Sequence, residues 1–61
     1  MLHVFKEVEK KRTELEELRI IIQATEITYR QKGEIPTAER LKNLETNVAK
    51  AIHLLSAAPS P

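Results

Sequence analysis

Cysteine, aspartate and tryptophan are missing from this 61-residue chain, glycine occurs once, and the aromatics are one Phe and one Tyr. Each absence excludes something. Without cysteine there are no disulfide staples, no thiolate metal sites and no thiol chemistry. One glycine, three prolines and two aromatics point away from a β-fold. All nine acidic residues are glutamate, which tolerates a helix interior better than aspartate does. No apolar run approaches the eighteen or so residues of a membrane span. The N-terminal "MLHVFKEVEKK" has too short an apolar run for a signal peptide. The expected class is all-α, and the expected location is cytoplasmic.

Ten basic residues against nine acidic leave a net charge of +1. That balance supplies no long-range attraction to nucleic acid or anionic lipid. The length allows one small domain. Such a chain buries only roughly 60% of the surface it exposes when unfolded, so its own core is marginal.

Leu2 to Lys32 contains neither Gly nor Pro. Val8, Leu15, Ile22 and Tyr29 recur every seven residues, and Val4, Leu18 and Thr25 fill the intervening positions of the stripe. Lys11 is the one stripe position that breaks the pattern. This spacing predicts an amphipathic, coiled-coil-like helix over 2–32. "GEIPT" then predicts a turn over 33–37: Gly33 as the C-cap of the first helix and Thr37 as the N-cap of a second. That second helix is predicted over 38–57, with Leu41, Leu44, Val48, Ala51 and Leu55 as its stripe. Residues 58–61 read as a flexible tail or the start of a linker. The predicted fold is an antiparallel two-helix hairpin.

The segment "LRIIIQATEITYR", residues 18–30, carries more apolar side chains than one stripe needs. Ile20, Ala24 and Ile27 lie off the stripe. Phe5 and Val8 extend beyond the reach of the shorter second helix. Three or four such side chains, each worth about 1.5–3 kcal/mol when buried, rival the whole stability of a small domain. The simplest completion is a second copy, giving a four-helix bundle by dimerisation. The expected interface is Phe5, Val8, Ile20, Ala24, Ile27, Ile52 and Leu54. Parallel association through the first helix is the architectural alternative.

Catalytic chemistry finds little support. His3 and His53 sit near opposite ends of the hairpin, whereas a metal site needs three or four convergent ligands. The glutamates of "EVEKKRTELEEL" have spacings of ordinary helix-surface ion pairs, and no pocket is expected to shift their pKa values. No nucleophile has a base to activate it. The expectation is no catalytic residue, no cofactor and no metal. Lys10, Lys11 and Arg12 form the sole basic cluster, neutralised by nearby glutamates and without stacking aromatics, so nucleic-acid binding ranks last. Thr25 either specifies register as a buried polar group or bonds its own helix.

The outline is similar to the helical hairpins of small-GTPase effectors and of coiled-coil assembly domains. It is also similar to bacterial hairpins that act on phosphorylated response regulators. Those carry a second-helix motif ending in aspartate, which this chain lacks, so that activity is not carried over. Shape alone does not specify function. The sequence therefore predicts a non-catalytic interaction module that self-associates. The alternative is a hairpin that binds a heterologous protein, a GTPase or another helical partner, through the same apolar patch.

Overall fold

The computed structural model describes residues 2–56. Helix α1 spans Leu2–Gln31 and helix α2 spans Ile35–Ser56, and the two pack against each other as a hairpin. No strand occurs among the described residues. The expected tail, with Ala57, lies outside them. The long dimension is 48 Å, close to the roughly 45 Å that thirty helical residues occupy at 1.5 Å each.

The turn is tighter than its sequence suggests. Gly33 adopts φ 80°, a left-handed conformation that glycine alone takes without a Cβ penalty. The Glu34 N–H donates to the Tyr29 carbonyl at 3.0 Å and the Gly33 N–H donates to the Arg30 carbonyl at 3.1 Å. These two bonds are a Schellman closure, and they satisfy carbonyls that α1 would otherwise leave open. The chain then re-enters helix at once, because the Glu34 carbonyl accepts from the Ala38 N–H at 3.1 Å.

The predicted cap is therefore displaced. Thr37 lies inside α2, and Glu34 occupies the capping position. The cause is Pro36, which serves as a helix starter. Its missing N–H costs nothing in a first turn, where no intrahelical acceptor exists, and its fixed φ suits the helix.

The hairpin is a single layer of two helices with a thin core. Among the described residues only Ile22, Ala38 and Val48 are buried apolar side chains. The radius of gyration is 14.6 Å, against roughly 10.5 Å for a compact domain of this length.

Candidate interaction surfaces

Three parallel columns on each helix describe the contact between them. The central column is Val8, Leu15, Ile22 and Tyr29 on α1, and Leu41, Val48 and Leu55 on α2. Four residues further along lies a second column: Arg12, Arg19 and Glu26, with Ala38, Glu45 and Ile52. Four residues before lies a third: Val4, Lys11, Leu18 and Thr25, with Thr37, Leu44 and Ala51. Residues four apart are neighbours on a helix surface, so the second and third columns flank the central one on opposite edges.

The second column forms a polar edge across the hairpin. Glu45 Oε2 accepts from Arg19 Nε and from Gln23 Nε2, each at 3.1 Å. The Glu45 side chain is only 18% exposed. Toward the turn, Arg30 Nη2 donates to Glu26 at 2.9 Å and to Glu39 at 2.8 Å. These two carboxylates hold the Arg30 guanidinium more firmly protonated than usual, Glu39 contributing most, and Arg30 in turn holds Glu39 below the usual carboxylate range. At the far end Arg12 Nη1 donates to Ser56 Oγ at 3.4 Å. Ala38, with no exposed surface, lets the backbones approach closely near the turn.

The third column forms an apolar edge that stays open. Leu18 is 43% exposed and Leu44 48%, although the stripe pattern places both inside the hairpin. Ile21, in the turn of helix above Leu18, is 61% exposed. The pairing of Arg19 and Gln23 with Glu45 sets Leu44 level with Ile21, on the same side of the hairpin. Val4, in the same column, is also exposed, but the exposed Lys11 separates it from Leu18. The helices are thus rolled toward the polar edge, where ion pairs and Ala38 draw them together. Of the expected stripes, Ile22 and Val48 are buried, whereas Leu18 and Leu44 stay exposed.

The side chains expected at an interface do not form one surface. Ile20 and Ile27 are strongly exposed, with Ala24, on the side of α1 away from α2. Leu54 is the most exposed large apolar side chain of α2. Ile52, two residues away, is half-buried and turns toward the seam. Phe5 is exposed near the open end and Val8 is half-buried in the central column. The signal that separates the edges is present in the sequence: Arg19 and Glu45 are opposite charges at matching columns of an antiparallel pair. Their pairing depends on register, which the stripes alone leave undetermined.

Smaller features complete the surface. Thr25 Oγ1 donates to the Ile21 carbonyl at 2.8 Å, a bond within its own helix. Lys32 Nζ sits 5.4 Å from the centre of the Tyr29 ring, within cation–π range. Lys11 pairs with Glu14 at 3.3 Å in solvent. Thr46, Ala49, Lys50, His53 and Leu54 line an open depression on one side of α2. Among the described residues, no group of three or more His or acidic side chains is placed to hold a metal ion. No described helix is long and apolar enough to cross a membrane. No protein-family model matches the chain, and searches of curated proteins and of solved structures find none similar to it.

Proposed function

We propose that this chain is a non-catalytic protein–protein interaction module that self-associates through an apolar face of its hairpin, two copies completing a four-helix bundle. The observation that carries the reading is surplus surface. Leu18, Ile20, Ile21, Ile27, Leu44 and Leu54 are each more than 40% exposed, while among the described residues only Ile22, Ala38 and Val48 are buried apolar side chains. Two packed layers around one core are the usual minimum for a domain, and a second hairpin supplies the missing layer. Sedimentation equilibrium across a concentration series, beside helical circular dichroism, tests the proposal. The expected result is a dimer whose melting temperature rises with concentration. A helical monomer at high micromolar concentration would overturn it.

A second reading rests on Ile20 and Ile27. These side chains are 65% and 57% exposed and lie apart from the Leu18, Ile21 and Leu44 edge. A heterologous helical partner that docks on them would leave the chain monomeric until that partner is added.

A further inference from the structure

We propose that Ser56 is a phosphoacceptor site, and that the Arg12 guanidinium receives its phosphate and fastens the open end of the hairpin. The inference concerns a single chain and does not depend on self-association.

Three arginines of α1 reach α2 along the polar edge, and they end on different acceptors. Arg30 meets the Glu39 carboxylate at 2.8 Å, and Arg19 meets the Glu45 carboxylate at 3.1 Å. Arg12 meets a neutral hydroxyl, Ser56 Oγ, at 3.4 Å, the longest of the three. Its Nε is shut off from water and has no hydrogen-bond partner among the described residues. None of the ion pairs between described residues includes Arg12. The edge thus has an acidic acceptor near the turn and another at mid-length, and lacks one at the open end. A phosphate on Ser56 supplies it, with a charge near −2 and three acceptor oxygens. Arginine–phosphate hydrogen bonds are charge-assisted on both sides, and so shorter and stronger than a bond to a hydroxyl. The phosphate oxygens project beyond an Oγ that already faces Arg12 Nη1.

Two features single out Ser56 among the hydroxyls. Thr25, Thr28 and Thr46 donate to carbonyls four residues back on their own helices. Ser56 does the same toward the Ile52 carbonyl at 2.8 Å, but its oxygen also accepts from the other helix. Ser56 is, in addition, exposed and the last residue of α2. Helix ends fray, so only the final turn must open to present this hydroxyl to a kinase. In the transfer, Ser56 Oγ attacks the γ-phosphorus of a nucleoside triphosphate. The new O–P bond forms as the bond to the β–γ bridging oxygen breaks, a nucleoside diphosphate leaves, and a base of the kinase takes the hydroxyl proton. The position also sets a sign. The C-terminus of a helix is the negative end of its dipole and disfavours a phosphate. A phosphate at position 56 therefore stabilises the hairpin through Arg12 and weakens α2 without it.

A chain of 61 residues is within reach of chemical synthesis, so phosphoserine can be placed at position 56 of the full chain. Thermal melts by circular dichroism then compare four chains at one concentration and low salt: serine or phosphoserine at position 56, each with Arg12 or with Arg12→Gln. The pH is about 8, where the phosphate is dianionic. With Arg12 in place, the phosphate is expected to raise the melting temperature by about 4–8 °C. With Arg12→Gln it is expected to lower it. The same shift in both backgrounds would overturn the proposal, because the phosphate would then act without Arg12. A second measurement does not require the Arg12→Gln chain to fold. The second phosphate pKa, ordinarily about 6, is followed by phosphorus NMR in the folded phosphorylated parent and in the same chain unfolded in urea. Contact with the guanidinium favours the dianion, so the folded value is expected to be the lower one. A folded value equal to or above the unfolded one would show that Arg12 does not hold the phosphate, and would overturn the proposal.

Discussion

The two edges of this hairpin flank the same central column, yet they are built for different tasks. Along one, Arg12, Arg19, Gln23, Arg30, Glu39 and Glu45 reach across between the helices. Along the other, Leu18, Ile21 and Leu44 remain open to water. The polar edge fixes register, because a one-turn slip would part Glu45 from Arg19 and Gln23. It contributes little net free energy, since pairs this exposed are worth about 0–1 kcal/mol. The apolar edge has the opposite character. It holds the larger reserve of free energy, roughly 25 cal/mol for each Å² removed from water, but cannot specify register by itself. Charge pairing marks the internal alignment of the two helices, and the apolar edge is left unburied.

The largest expected effect comes from damaging the column both edges share. Ile22 is 5% exposed and stands in the second half of α1. Ile22→Ala removes three carbons from a thin core with little capacity to refill the space. The expected loss is about 2–5 kcal/mol. A hairpin of this size has few kcal/mol to spare, so most of the helical circular dichroism signal at 25 °C should disappear at low micromolar concentration. An Ile22→Ala chain that keeps its helicity and melting temperature would mean that the central column is not the source of stability, and the contrast between edges would lose its basis.

An intermediate effect is expected from the polar edge. Glu45→Ala leaves Arg19 and Gln23 without their shared acceptor. Burial of the unpaired groups would cost about 1–3 kcal/mol. The Arg19 side chain is 43% exposed and regains water, which places the cost near the low end, about 1 kcal/mol. The corresponding fall in melting temperature is about 4–8 °C. Glu45→Gln, which keeps an acceptor and a similar shape, should recover part of that loss. The two melting curves, compared at one protein concentration, sharpen the comparison. If both variants melt with the parent, the polar edge contributes specificity without stability.

Much of this architecture is legible in the sequence, and the rest is hidden for identifiable reasons. The unbroken helix through Gln31 follows from the lack of Gly and Pro, and Gly33 is the residue on which the chain reverses. The start of α2 is misplaced by sequence reasoning because Pro36 has two opposite meanings, terminator of one helix and starter of the next. Only the Schellman bonds of Gly33 and Glu34, which bring the chain round within three residues, decide between them. The roll of the helices is hidden because a seven-residue stripe marks a face of each helix but not the angle at which two faces meet. Leu18 and Leu44 satisfy the stripe and are still exposed. Ile20 and Ile27 stand out in the sequence as surplus, and in the fold they are strongly exposed. The Leu18, Ile21 and Leu44 surface does not stand out, because two of its members pass for core.

The smallest expected effect is the dependence on pH at the turn end of the polar edge. Glu39 lies below the usual carboxylate range because Arg30 donates a hydrogen bond to it and stands close in charge. Its folded pKa is therefore lower than its unfolded one. The unfolded state binds more protons as pH falls, so the pair's contribution is complete above the ordinary carboxylate pKa, about 4, and is lost as pH drops through the lower folded value. Glu39 is open to solvent, and salt screens such pairs, so the shift in melting temperature between pH 6 and pH 3 that this residue causes should be slight. The measurement is the difference between the parent and Glu39→Gln across that range. The variant should melt slightly lower at pH 6 and converge on the parent near pH 3, with the gap at pH 6 shrinking in high salt. A gap that widens toward acid would reverse the sign and place the stabilising charge elsewhere.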